Sequence, residues 1–287
     1  MKVKFYGVRG SIPVCGKEFQ GYGGNTTCLR IYRETVNRVV IFDAGTGIRN
    51  LGKELVSQGI NQQVLNIIFS HFHWDHIQGF PFFAPAYNKN QEIGILVMGK
   101  ERRFKNLKDI FSKPMQMEYF PVELDEMGAK FNFLSLGDDA TFYGAKVTGV
   151  PQHHLYPGGS YGIRLEDESG VLVICTDVEH INGIDPNIVN FAQDADILIH
   201  DGQYTKEEYK KYKGWGHSTW EQAVEVATQA KVKKLIITHH DPDHDDKFLD
   251  FMEKDCAEAF SNSVFASEGM EIEILNHGDN RAASVHL

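Results

Sequence analysis

The segment SHFHWDH (70–76) places four side chains of metal-ligand type within six positions. His71 and His73 are two residues apart, so in an extended or tightly turning backbone both side chains can point to one side and share an ion. Asp75 and His76 follow where the chain turns toward an apolar segment, so they project differently and suit a second ion. A lone histidine is more often a hydrogen-bonded core residue, but four such residues at this spacing indicate a site for two metal ions.

More residues of ligand type follow three downstream segments that have the composition of buried strands. His153 and His154 come after AKVTGV, Asp177 closes VLVICTD, and His239 closes LIITH. Their order and context resemble the H-x-H-x-D-H signature and the later ligands of the metallo-β-lactamase superfamily of hydrolases. The resemblance implies two groups of ligands bridged by Asp177, which are His71, His73 and the histidine after AKVTGV for one ion, and Asp75, His76 and His239 for the other.

Imidazole and carboxylate ligands suit zinc, manganese or iron rather than a metal that prefers thiolates. The expected cofactor is therefore a pair of divalent ions, with zinc as the first choice. His154 is favoured over His153 as the ligand because it is nearer to the Pro/Gly turn in PQHHLYPGGS. Cys175 matches no ligand position, and we interpret it as a small buried residue of a strand.

The segment GWGHSTWEQA resembles the G-H-S-T element of the phosphodiesterase branch of this superfamily, whose best-known member is tRNase Z. The resemblance implies that His217 lies beside the scissile phosphate, where it would act as a general acid. Asp201 stands in IHDGQYT where that branch has a glutamate, and a carboxylate there can fix the tautomer of His217. Asp75 is the third predicted catalytic residue, because with Asp177 it would orient the attacking hydroxide.

Two features favour a small phosphodiester, such as a cyclic nucleotide, over a long nucleic acid. Asp177 follows His153 by only 24 residues, too few for the arm with which tRNase Z grips tRNA, and the formal net charge is −10. A surface for long nucleic acids needs clustered Lys and Arg. The alternatives are a thioester, lactone or sulfate-ester hydrolase on the same metals, an RNA-processing nuclease, or a non-catalytic metal-binding sensor.

Composition limits the class of protein and its compartment. The chain has 287 residues, of which 42% are hydrophobic, and no apolar run approaches the roughly 20 residues of a membrane span. The first residues lack the pattern of a secretion signal, and four widely spaced cysteines favour reduced thiols. We therefore expect a cytoplasmic protein with no membrane partner. Members of the family often form dimers, so a homodimer is a further expectation.

Periodicity predicts the elements that position these residues. Strands are predicted at 3–8, 28–34, 39–45, 64–70, 94–99, 145–150, 161–166, 171–177, 195–201 and 233–239, and helices at 218–231 and 244–260. No linker divides the chain, so one hydrolase domain over 1–287 is expected. The family resemblance implies an α/β fold, the four-layer αββα sandwich, with the metals at one edge. The stretches PFFAPAY and MQMEYF in region 80–135 fit either a pocket lining or the core.

Several polar residues have local interpretations. Asp43 is either the N-cap of a helix starting near Gly47 or a carboxylate beneath the H-x-H-x-D-H loop. Ser218 and Glu221 have the spacing of a capping box. His200 is predicted to be structural, on the opposite strand face from Asp201. A solvated loop and helix start account for the two histidines of HDPDHDD, His240 and His244.

Overall fold

The structure is a computed structural model, and it describes residues 1–33, 38–59, 64–99, 106–137, 139–142, 144–274 and 285–286. Eight strands of these ranges form one sheet: β1 (Lys2–Gly7), β2 (Cys28–Tyr32), β3 (Arg38–Phe42), β4 (Val64–Phe69), β5 (Glu92–Met98), β6 (Lys130–Leu136), β14 (Glu271–Glu273) and β15 (Val285–His286). Their order is β15-β14-β1-β2-β3-β4-β5-β6. The strands β3 to β6 are parallel, and apolar runs such as VLNIIF in β4 suit burial on both faces.

Seven strands form the second sheet: β7 (Asp139–Phe142), β8 (Ala145–His154), β9 (Tyr156–Asp167), β10 (Gly170–Cys175), β11 (Ile197–Asp201), β12 (Lys234–Thr238) and β13 (Ser263–Phe265). Their order is β13-β12-β11-β10-β9-β8-β7, with β10 to β13 parallel. The hairpin of β8 and β9 is longer than predicted because pairing continues to a turn at Leu155. Pro151 lies where β8 has passed the end of β7, so its missing N–H falls on an unpaired side.

Helices cover the outer faces of both sheets. They are α1 (Ile48–Ser57), α2 (Trp74–Ile77), α3 (Leu107–Ser112), α4 (Pro186–Phe191), α5 (Lys206–Tyr212), α6 (Trp220–Gln229) and α7 (Asp246–Ala259), with short 3-10 turns at Lys17–Phe19, Phe80–Phe82, Ala84–Tyr87, Lys113–Met115 and Leu124–Glu126. The central core lies between the sheets and joins residues such as Phe5 and Ile68 to Ile163 and Ile199. Two outer cores pack α1 and α3 on the first sheet and α4, α6 and α7 on the second. The predicted αββα sandwich is therefore confirmed.

Two sequence-based interpretations are wrong in detail. The capping box of α6 is formed by Thr219 and Gln222 instead of Ser218 and Glu221. Ser218 is unavailable as a cap because its hydroxyl donates to the Val178 carbonyl and its N–H donates to a buried carboxylate.

The helix start predicted for HDPDHDD is confirmed, because α7 begins at Asp246 with Asp245 as its N-cap, but solvation does not account for the two histidines of this segment. His240 and His244 are both buried. His240 forms a hydrogen bond with the Ala266 carbonyl, and His244 forms one with Glu208.

The predicted strand at 28–34 ends at Tyr32, and residue 34 lies outside the described residues. None of the helices in the described ranges has the length and apolar character that a membrane crossing requires.

Candidate metal centre

The candidate site lies where strands of both sheets end. Asp43 follows β3, His71 follows β4 by two residues, Asp177 follows β10 by two, and His239 directly follows β12. Because neighbouring parallel strands end at the same sheet edge, residues far apart in sequence meet there. Asp43, Asp177 and His239 adopt left-handed backbone conformations, with φ of 59°, 57° and 63°. Such residues are uncommon outside glycine and cluster at functional sites, because the turn directs the side chain away from the strand.

The structure brings the seven predicted metal ligands together in two groups. In each group the ligand atoms lie within 4.8 Å of one another, and the groups are His71, His73 and His154, and Asp75, His76, Asp177 and His239. Oδ1 of Asp177 lies 3.3 Å from Nε2 of His76 and 3.2 Å from Nε2 of His239. It also lies 3.7 Å from Nε2 of His71 and 4.0 Å from Nε2 of His154, so this carboxylate stands between the groups.

His154, and not its neighbour, enters the first group. Its Nε2 lies 3.0 Å from Nδ1 of His73, whereas His153 is half-buried and its carbonyl accepts a hydrogen bond from the Glu179 N–H. A bulge between Gln152 and His153 shifts the register of β8 against β9 at this point.

Each buried imidazole of the two groups is oriented through its second nitrogen. The Nδ1 atoms of four histidines face protein oxygens, which are Ser70 Oγ for His71 at 3.0 Å, Asp43 Oδ2 for His76 at 2.7 Å, the Gly216 carbonyl for His154 at 2.8 Å and Gln203 Oε1 for His239 at 3.0 Å. These acceptors place the proton on Nδ1 and leave the Nε2 lone pair directed into the cluster. Nε2 of His71 and of His76 are buried without a hydrogen-bond partner among the described residues, an arrangement that metal coordination would satisfy. The donor set therefore fits two divalent cations.

Asp43 lies beneath the H-x-H-x-D-H loop. It accepts hydrogen bonds from the N–H and hydroxyl of Ser70, both at 2.8 Å, and it contacts His76. The N-cap interpretation is wrong, because the N-cap of α1 is Gly47 and it has no side-chain cap. A single carboxylate thus contacts both the first and the last residue of SHFHWDH.

Electrostatics favour cation binding. Burial opposes ionisation of Asp177, but the imidazoles of His239, His76 and His71 hold its pKa well below the ordinary value. Burial lowers the pKa of His154 to about 4. Burial also lowers the pKa of His239, yet Asp177 and other carboxylates raise it overall to about 9. The cluster therefore attracts positive charge, and protons and metal ions compete for the same nitrogen atoms.

His217 and Asp201 form the predicted pair. Nδ1 of His217 lies 2.8 Å from Oδ2 of Asp201, and the His217 ring lies 5.0 Å from that of His154 and 4.8 Å from that of His239. Asp201 is fully buried and also accepts hydrogen bonds from the N–H groups of Asp177, Gln203 and Ser218. Against the effect of burial, His217 lowers the pKa of this carboxyl, so Asp201 is ionised and can stabilise an imidazolium.

Two other predictions concern neighbours of the cluster. His200 lies on the other face of β11 and stacks on His180, with 5.5 Å between ring centroids. Cys175 is fully buried in the outer core of the second sheet. Both are placed as the sequence predicted, outside the two groups of candidate ligands.

The loop GVRGS (7–11), whose residues contact the site, was not singled out from the sequence. The N–H of Ser11 donates to Oδ2 of Asp75 at 2.8 Å. A Cβ atom on Gly10 would lie 2.3 Å from Nδ1 of His239, so glycine is required for this close approach. The only sequence signal for this close approach was Gly10 itself. Its partner, His239, is more than 200 residues away in the chain.

Glu179 is a second missed residue, and it anchors the loop that carries His217. One carboxylate oxygen accepts from the Gly214 N–H at 2.6 Å and from the Tyr209 hydroxyl at 2.8 Å, and the other accepts from the Gly216 N–H at 2.9 Å. The carbonyl of Gly216 in turn accepts a hydrogen bond from Nδ1 of His154. A Cβ atom on this glycine would lie 2.3 Å from that nitrogen. Glu179 therefore orients a candidate ligand through the loop backbone.

Replacing Glu179 with glutamine is expected to weaken zinc affinity about 10- to 100-fold, because an NH2 group would face a backbone N–H and displace the loop that orients His154. Competition with a chromogenic chelator measures this affinity. The matched control is Glu207→Gln, which changes an exposed glutamate on α5 that pairs with Lys210. Unchanged zinc affinity in the Glu179 variant would contradict the role assigned to this carboxylate.

Region 80–135 contributes both to the core and to a cavity. Phe80 and Phe83 are buried in the outer core of the first sheet, whereas Phe82 and Tyr119 are exposed. A cavity of about 220 Å³ is lined by Trp74, Ile77, Gln78, Phe80, Pro81, Phe82, Ile110, Phe111, Pro114, Met115, Tyr119 and Phe120. The stretch PFFAPAY therefore contributes residues both to the core and to the lining of this cavity.

Known proteins resemble this chain over most of its length. A sequence model of the family described as the beta-lactamase superfamily domain matches residues 38–240. Ribonuclease Z of Picrophilus torridus is 25% identical, over 95% of this chain and 96% of its own length. Ribonuclease Z of Streptococcus pneumoniae strain CGSP14 is also 25% identical, over 84% of this chain and 91% of its own length.

Solved structures show the same fold. The short form of human tRNase Z superposes with a TM-score of 0.67 at 18% identity, covering 96% of this chain and 99% of its own. A diphosphatase from the PhnP family gives a TM-score of 0.68 at 18% identity, covering 95% and 97%. The family match extends over more than half of the chain and includes every candidate ligand. This protein therefore belongs to the beta-lactamase superfamily domain family and is a metal-dependent hydrolase with the metallo-β-lactamase fold.

Proposed function

We propose that this protein is a dinuclear phosphodiesterase that acts on a small phosphodiester. The observation that carries the proposal is the His217–Asp201 pair, which lies beside both groups of candidate ligands with 2.8 Å between Nδ1 and Oδ2. A thioester releases a thiolate, which leaves without a proton donor, whereas a phosphodiester with an alkoxide leaving group needs one. The pair therefore favours phosphodiester hydrolysis over thioester hydrolysis.

Two divalent ions, zinc as first choice and manganese or iron as alternatives, would lower the pKa of water and neutralise charge on the phosphoryl oxygens. His71, His73 and His154 would hold one, and Asp75, His76 and His239 the other, with Asp177 shared between them. Oδ2 of Asp75 is fixed by the Ser11 N–H, so its position does not depend on the ion alone.

The side chains of the chain supply the proton transfers. Asp75 and Asp177 would accept a hydrogen bond from the attacking hydroxide, formed from water by release of a proton to solvent, and orient its oxygen toward phosphorus. The new P–O bond forms as the bond to the leaving oxygen breaks, and His217 donates its Nε2 proton to that oxygen. Asp201 keeps the other proton on Nδ1 and stabilises the imidazolium before transfer. The products are a phosphomonoester and an alcohol.

The connections of the second sheet support a substrate of modest size. A single residue, Leu155, separates β8 from β9, and only residues 168–169 separate β9 from β10. The segment between His154 and Asp177 is therefore a compact hairpin and strand with no room for an RNA-gripping arm. The net charge of −10 agrees with this interpretation.

RNA cleavage is the second candidate, because the curated relatives are named Ribonuclease Z. A substrate panel separates the candidates. It contains bis-p-nitrophenyl phosphate, cyclic nucleotides, a precursor tRNA, a thioester, a lactone and a sulfate ester, all assayed with protein of known metal content. We expect two metals per chain and the highest kcat/KM on small phosphodiesters. Preferred cleavage of precursor tRNA would favour the nuclease, and metal without phosphodiester turnover would overturn the proposal.

A further inference from the structure

Three exposed aromatic side chains belong to segments that carry or contact residues of the candidate metal centre. Trp74 is 65% exposed, Tyr156 is 62% exposed and Trp215 is 60% exposed. We call these three residues the aromatic rim. Each lies one or two residues from a site histidine, next to His73, after His154 and before His217 respectively.

Contacts among the backbone and ligand atoms bring the three segments of the rim to one place. His154 Nε2 is 3.0 Å from His73 Nδ1, and Nδ1 of the same ring donates to the Gly216 carbonyl at 2.8 Å. Trp74 and Trp215 are therefore sequence neighbours of residues that touch a single imidazole. Exposed apolar residues that are scattered singly are ordinary, but here the three segments that carry them, α2, the β8–β9 turn and the loop before α6, meet at His154.

Trp215 is exposed and yet held in place. Its ring packs against Tyr212 with 5.1 Å between centroids, Tyr212 stacks on buried Tyr204 at 5.0 Å, and Tyr204 contacts the His217 ring at 6.0 Å. On either side of it, the N–H groups of Gly214 and Gly216 are bound by one carboxylate. A side chain fixed in this way loses little conformational freedom when it binds a ligand.

Tyr156 and Trp74 are also placed by backbone structure. Tyr156 begins β9 and pairs with His154 across a turn whose single residue, Leu155, has φ of 62°. Trp74 begins α2 directly after His73, and its ring also lines the 220 Å³ cavity. Trp74 and Tyr156 thus lie on or beside elements that carry candidate ligands, and Trp215 lies in the loop that carries His217.

We infer that the aromatic rim binds a nucleobase joined to the phosphoryl group, an inference that rests on the proposed function and names its substrate class. The phosphoryl group would bind at the candidate metal centre, so the rim is available to the remainder of the substrate. The rim is open to water and offers ring faces, which suits a planar group whose edges remain solvated. Stacking is tolerant of base identity because every base has a π-face, so we expect weak discrimination between bases.

Equilibrium binding to the zinc-loaded protein tests the rim without relying on turnover. Adenosine 5′-monophosphate and ribose 5-phosphate carry the same phosphate on the same sugar position and differ in the base. Titration calorimetry is expected to show about 10-fold tighter binding of the nucleotide, the effect of one stacked base. Trp215→Ala should remove most of this preference, and Trp215→Phe should retain most of it.

The control is Phe251→Ala, which removes an equally exposed aromatic side chain (61%) from α7, away from the rim. This variant should keep the preference for the nucleotide. Equal affinity of the unmodified protein for both ligands would overturn the inference. Loss of the preference in the Phe251 variant to the same extent as in the Trp215 variant would also overturn it.

Hydrolysis separates failure of this inference from failure of the proposed function. The substrates are thymidine 5′-p-nitrophenyl phosphate and methyl p-nitrophenyl phosphate, which share a leaving group and differ in the nucleoside. A retained preference for adenosine 5′-monophosphate with neither ester hydrolysed would support the rim and overturn the phosphodiesterase. Hydrolysis of both esters at equal kcat/KM, with no preference in binding, would support the phosphodiesterase and overturn the rim.

Discussion

Replacing Asp177 with asparagine is expected to remove metal from both ion positions and to lower phosphodiester turnover by about 10³-fold or more. Its Oδ1 lies within 4.0 Å of Nε2 atoms from both groups of candidate ligands. The neighbouring imidazoles hold the pKa of this carboxyl well below its ordinary value despite burial, so the native side chain is an anion. Asparagine is nearly isosteric but neutral, and it would leave the shared position without a charged bridging ligand.

Elemental analysis after dialysis measures the metal content, and hydrolysis of bis-p-nitrophenyl phosphate measures the turnover. Asp243→Asn is the matched control, because Asp243 is an exposed aspartate of the loop before α7. The thermal unfolding midpoint of each variant shows whether the fold survives. Two metals per chain and native turnover in the Asp177 variant would contradict the proposed bridge.

Replacing His217 with alanine is expected to lower kcat for a substrate with an alkoxide leaving group by about 10²- to 10⁴-fold, the usual contribution of a general acid. Metal content should remain at the native level, because His217 lies outside the predicted ligand set. The effect should be much smaller for p-nitrophenyl esters, since p-nitrophenolate leaves without protonation. Asp201→Asn should produce the same dependence on the leaving group, because the pair shares the 2.8 Å Nδ1–Oδ2 contact.

His153→Ala is the control for the His217 variant. His153 is half-buried and belongs to neither group of candidate ligands. We expect its substitution to leave the ratio of rates for alkoxide and p-nitrophenolate leaving groups unchanged. An equal loss on both classes of substrate in the His217 variant would contradict a role in proton donation and indicate a role in binding or metal retention.

The sequence by itself determined the residue types of the site and their order. His71, His73, Asp75 and His76 lie within six positions, so the local backbone sets the general direction of each side chain. Asp177 and His239 were recognisable because each follows an apolar run that predicts a buried strand. The αββα arrangement was likewise inferred from the family that these motifs resemble.

Only the tertiary structure decided between His153 and His154. Adjacent residues of a strand face opposite sides, and a bulge at Gln152 sets which of the two enters the cluster. The register of β8 against β9 depends on pairing along the whole hairpin. A single local sequence therefore cannot specify which histidine faces the cluster.

Most residues that orient the ligands became visible only in the fold, which also decided between the two interpretations of Asp43. Asp43 contacts His76 across 33 residues of chain, and Gln203 contacts His239 across 36. Glu179 reaches Gly216 across 37 residues, and the Ser11 N–H reaches Asp75 across 64. Carboxylates, amides and backbone N–H groups occur throughout any chain and carry no periodic signal. Their roles arise because the ends of parallel strands bring distant segments to one edge of the sheets.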